Sequence, residues 1–204
     1  MAPVSGAPIT KGCRADVASS LELLLNKDLP KVSLLSRLLG TQADPREAWR
    51  PLWHRLVAEA RQEHWYADRG AADTLDGRFD MISMLTALFM LRLENEAEGV
   101  PAAARLTELF VEDMEGQMRE AGIGDPTVGK MMGRMMATLG GRAGRLREAL
   151  AQESDADLAG VVERNMHLSD EERGPALMAE GLRALHARLA HTDFAMLERG
   201  EIAQ

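Results

Sequence analysis

Apolar residues recur at three- and four-residue steps through most of the chain, and runs that alternate apolar and polar positions are missing, so the pattern predicts helices and no strands. Met81, Leu85, Leu88, Leu91 and Leu93 form one such set, preceded by a polar lead-in in which Thr74 or Asp76 serves as cap. Leu106, Leu109, Phe110, Met114 and Met118 make the stripe of a second helix, joined to the first through Gly99-Val100-Pro101. Its other face is acidic, with Glu108, Glu112, Asp113, Glu115 and Glu120. At the turn Gly122-Ile123-Gly124-Asp125-Pro126, Gly122 is expected as a left-handed C-terminal cap and Asp125 as cap of the next helix. That third helix is basic and rich in methionine, from Val128 toward Leu150, with a kink or break expected at Gly140-Gly141 because each glycine costs a helix about 1 kcal/mol relative to alanine.

Upstream, Asp44-Pro45 with Glu47 reads as the start of a helix reaching about Tyr66, with Pro51 as a candidate point of interruption. Trp49, Leu52, Trp53 and Leu56 are its core stripe. Downstream, Ser154 or Asp155 caps a helix through Val161, Val162 and Met166. Pro175 lies near the start of a last one carrying Leu177, Leu182, Leu185 and Leu189. The fold class expected is all-α, an irregular antiparallel bundle of about six helices with a flexible N-terminal arm. By composition, residues 1–30 read as a disordered or loosely packed arm, 31–44 as a short amphipathic helix (Val32 to Leu39) and linker, and 45–198 as the helical domain.

Three short motifs sharpen this picture: Gly77-Arg78-Phe79-Asp80-Met81, Phe110-Val111-Glu112-Asp113-Met114, and Arg119-Glu120-Ala121-Gly122-Ile123-Gly124-Asp125 followed by Val128-Gly129-Lys130. Together, in this order, they resemble the ubiquinol-cytochrome c chaperone family over roughly residues 45 to 190. The resemblance implies an assembly chaperone, not an enzyme, that binds newly made cytochrome b or another subunit of complex III. It further implies a native start near Val32, at the segment Ser33-Leu34-Leu35-Ser36-Arg37-Leu38-Leu39-Gly40, and work close to the membrane or the ribosome. The chain departs from the family where Met131, Met132, Met135, Met136, Gly140 and Gly141 stand in place of a more basic and aromatic helix. The alternative is a helical adaptor or regulatory module with a soluble protein partner.

Charge and chemistry narrow the choice. The formal net charge of −8 over 204 residues argues against DNA as a partner, since a basic footprint is needed to displace counterions from phosphates. No apolar run spans a bilayer, and the first residues lack a secretory pattern, so a cytoplasmic location is expected, to which the family resemblance adds peripheral attachment to the inner membrane. A lone cysteine, Cys13, excludes an internal disulfide. Gly124 to Lys130 imitates part of a phosphate loop, but Met131 replaces the required hydroxyl and an acidic helix replaces the preceding strand. His54, His64, His167, His186 and His191 show no ligand spacing, and no catalytic elbow occurs, so cofactor, metal and small-molecule substrate are not expected.

Two candidate surfaces remain. Lys130, Met131, Arg134, Met135, Arg142 and Arg145 form a cationic, methionine-rich side suited to an adaptable apolar client, although Met132, Met135, Met136 and Leu139 also fit a core stripe. The corner Asp76, Gly77, Arg78, Phe79 and Asp80 is expected to hold two helices in register, with Arg78 bonding to Asp76, Glu112 or Asp113.

Overall fold

A computed structural model describes residues 44–120, 122 and 124–203. The arm expected over 1–30 and the short helix expected before residue 44 lie outside them. A 3-10 turn, Glu47–Trp49, leads into α1 (Arg50–Ala60) and the short α2 (Glu63–Ala67). The long helices α3 (Leu75–Leu93), α4 (Gly99–Glu120) and α5 (Asp125–Leu150) follow. α6 (Ala156–Asn165), α7 (Gly174–Ala190) and the short α8 (Phe194–Glu198) complete an all-α bundle. Among the described residues six of these helices are ten residues or longer, and none is long and apolar enough to cross a membrane.

The bundle is built around α3. Every residue from Asp80 to Leu93 is buried, because α1, α4, α5 and α7 all pack against this helix. A helix apolar on all sides is stable only when enclosed in this way, and each fully buried leucine of the set contributes about 1.5–3 kcal/mol. Thr74 caps it, its hydroxyl accepting from the Gly77 amide. Trp49 and Trp53 are in the core as their spacing implies, edge-on to Phe194 and Phe110 respectively.

Two expectations about continuity are corrected. Pro51 sits harmlessly in the first turn of α1, and the chain breaks instead at Arg61-Gln62, where Gln62 is extended. The turned-back segment is pinned by its aromatics: Trp65 donates to the Glu59 carbonyl and Tyr66 to that of Ala60. α5, in contrast, runs unbroken through Gly140-Gly141. Leu139, Arg142, Ala143 and Leu146 are buried along it, and packing of that stripe against α3 outweighs the weak local propensity.

Arginines close several helix ends. Arg92 on α3 donates to the carbonyls of Leu189 and Thr192 at the C-terminus of α7, and Arg183 reaches the Leu150 carbonyl at the end of α5 and the carboxylate of Asp155. Each puts positive charge where the last carbonyls of a helix are unsatisfied.

Candidate interaction surface

The corner at 76–80 resolves into two unrelated halves. Arg78 is exposed and pairs with Asp73 at 2.7 Å, so it bonds to none of Asp76, Glu112 or Asp113. Asp76 is exposed as well. Gly77 has a steric role, since a Cβ there would lie 2.0 Å from the Ala72 carbonyl oxygen. Phe79 packs beside Phe110, ring centroids 6.5 Å apart. Asp80 is the buried member, and its partner is Arg142.

That pairing corrects the reading of Arg142 as an exposed contact residue. Its guanidinium is buried and donates to Asp80 Oδ1 at 2.5 Å, to the Asn165 carbonyl at 2.5 Å and to the Ser83 hydroxyl. The other carboxylate oxygen of Asp80 accepts from the His167 amide at 3.0 Å and lies 2.7 Å from His167 Nδ1. One ion pair thus joins α3, α5 and the chain beyond α6. The backbone bond from Ala72 N to the His167 carbonyl, and that from Ser169 N to the Gly70 carbonyl, hold this corner in place. Hydrogen bonding to Asp80, and then its charge, raise the His167 pKa above the usual histidine value.

Glu112 is held by two arginines that the sequence pattern did not point to, Arg46 at 2.5 Å and Arg50 at 3.5 Å. Arg46 also clasps Asp44, whose carboxyl is lowered to about 2 chiefly by those hydrogen bonds. Asp113 accepts from Gln117 one turn along.

What α5 shows to solvent divides into adjacent strips. Val128, Met132 and Leu139 face the core, with Met135 half-buried against it. Lys130, Arg134 and Arg145 are exposed and, among the described residues, make no ion pair; Met131 is half-buried at their side. Gly133, Met136 and Ala137 line an open cavity of about 740 Å³ between α5 and the C-terminal half of α4. Val111, Thr107 and Gly116 form its opposite wall, with Glu108, Glu112 and Glu115 along the rim. Gly122, at the turn between the helices, has φ of +79°, as a left-handed cap requires. Gly124 is the N-cap of α5, so Asp125 is its first residue and not its cap.

Among the described residues, the bundle leaves a cationic strip on α5 and an apolar groove between α4 and α5 open to solvent. The sequence pattern of the ubiquinol-cytochrome C chaperone family matches residues 67–203, and the chain belongs to that family. Its fold is similar to the crystal structure of the Cbp3 homolog from Brucella abortus, with a TM-score of 0.68 and 25% identity over 84% of this chain and 96% of that one. A search among curated proteins finds no match.

Proposed function

We propose that this protein is a non-enzymatic assembly chaperone of ubiquinol-cytochrome c reductase, binding newly made cytochrome b or another subunit of the complex. The observation that carries the reading is the family match over residues 67–203. The outer strip of α5 supplies a physical means. Lys130, Arg134 and Arg145 are hydrated cations gathered on one helix of a chain of net charge −8, so they make a local attractive field. Met131 and Met135 beside them offer flexible apolar contact to a client that is not yet folded. The place of work that fits these features is the cytoplasmic surface of the inner membrane, where a hydrophobic subunit is inserted as it leaves the ribosome.

Deletion of the gene, followed by a difference spectrum of membrane b-type haem and quantitation of complex III subunits, tests the proposal. Loss of both, restored by the wild-type gene, is the expected result. Normal b-type haem with a normal complex overturns it. If wild-type protein carrying a photo-reactive side chain at Met131 captures only soluble regulators, the adaptor reading replaces it.

A further inference from the structure

We propose that the end of α4 from Glu115 onward and the first half of α5, up to Thr138, open together by local unfolding while the rest of the bundle stays folded, and that this opening uncovers Val128 and Met132. The two halves of α5 are held very differently. In the second half Leu139, Arg142, Ala143, Leu146 and Ala149 are buried. Arg142 is bound there to Asp80 and to the Asn165 carbonyl, each at 2.5 Å, and Arg147 to Glu94 at 2.6 Å. Over 115–120 and 127–138, in contrast, Val128 and Met132 alone are buried among the described residues. The bonds from Gln117 to Asp113, Arg119 to Glu115 and Thr138 to Arg134 each stay within one helix. An open cavity of about 740 Å³ lies between the two arms, with Gly116 and Arg119 on one wall and Gly133, Met136 and Ala137 on the other.

Backbone preference widens this difference. Gly116, Gly129 and Gly133 stand inside helices, and a Cβ added at any of them would meet nothing, so no packing calls for glycine there and each weakens its helix. α5 also begins at Gly124 without a side-chain cap, which leaves its first amides to water. The second half carries Gly141 and Gly144, equally open, but its buried stripe and ion pairs hold it to α3 regardless. A stretch of helix with few buried contacts opens at lower free energy than the whole domain unfolds. Once open, these arms bare Val128 and Met132 beside Met131, Met135 and Met136, which are already half-exposed, and methionine adapts to varied apolar partners. That an unfolded segment of a client is what this surface receives rests on the chaperone reading; the opening itself does not.

The test is hydrogen–deuterium exchange of the full chain, free of any client, resolved by peptide mass spectrometry. Amides over 115–120 and 127–138 should exchange at least about a hundredfold faster than those over 142–150. In urea below the unfolding transition their exchange should barely change, because a local opening exposes little surface, whereas that over 142–150 should rise steeply. This arm uses wild-type protein and needs no variant to fold. Gly116→Ala combined with Gly129→Ala and Gly133→Ala should slow exchange over both stretches roughly tenfold, since each replaced glycine shifts the opening about two- to fivefold. Oxidation of Met132 by dilute hydrogen peroxide, which converts the thioether to a sulfoxide and releases water, should slow by the same factor in that variant. Exchange over 115–120 and 127–138 as slow as over 142–150, or as steep in urea, overturns the proposal. So does a folded triple variant that exchanges like wild type, or one in which Met132 is oxidised at an unchanged rate. None of these outcomes bears on whether deletion depletes b-type haem.

Discussion

Arg142 and Asp80 carry opposite charges in a place where neither is useful to a partner. Both side chains are less than a tenth exposed, 6% and 7%, and removing water from two ions is repaid only when the remaining donors and acceptors are also satisfied. Ser83, Asn165 and His167 provide most of that, leaving Arg142 Nε without a partner among the described residues. Arg142→Ala strands the buried carboxylate and should cost about 3–5 kcal/mol, measured by urea denaturation. Arg145→Ala, three residues along on the exposed strip, should cost less than about 1 kcal/mol. Equal effects would show that Arg142 is not anchored. His167 adds a pH dependence to the same cluster. Its folded pKa is raised above 6.5 by hydrogen bonding to Asp80, so its stabilising charge is fully present below 6.5 and is lost as pH rises through the folded value. The ring is two-thirds exposed, and solvent holds the effect under about 1 kcal/mol. Stability should therefore decline slightly from pH 6.5 upward, and His167→Gln should flatten that decline in a series of melting curves.

At the scale of elements, local signals that act within one helix were legible in the sequence and signals that act between helices were not. Thr74, Pro175 and the methionine and leucine stripes announce helix starts and buried faces through spacing alone. The long-range partners of Asp80 and Glu112 depend on which helices meet; the place of Arg142 in the 139, 142, 143, 146 stripe sets it apart from Arg145, but nothing near Arg46 sets it apart from Arg78. Helix α5 shows the limit most clearly. Glycine content argued for a break at 140–141, yet the buried stripe through Leu139, Ala143 and Leu146 carries the helix across. Three glycine substitutions separate these influences. Gly141 is exposed and a Cβ there meets nothing, so Gly141→Ala should stabilise by about 0.5–1 kcal/mol. Gly77→Ala drives a Cβ into the Ala72 carbonyl and should be strongly destabilising. Gly122→Val, where space is open but φ is +79°, should cost about 1–2 kcal/mol from backbone strain alone. Thermal melts of the three should rank Gly141→Ala above wild type and the other two below it.

The whole molecule is acidic, with a net charge of −8, and several of its arginines bind other parts of the chain: Asp80, Glu112, Glu94 and helix C-termini. On the outer α5 strip, Lys130, Arg134 and Arg145 are exposed, make no ion pair among the described residues and are gathered on one helix. A few such charges on one helix steer an approaching anionic surface although the molecule as a whole repels it, because screening confines each field to about 8 Å at physiological salt. Charge reversal by Lys130→Glu with Arg134→Glu should leave the melting temperature nearly unchanged, as exposed charges contribute less than about 1 kcal/mol. Association with the client or with anionic vesicles should weaken, chiefly through a slower on-rate. In about 1 M salt, where the Debye length falls to about 3 Å, wild type and variant should bind alike. An unfolded variant would make these residues structural after all. A folded variant that associates like wild type at low salt would move the contact surface off this strip.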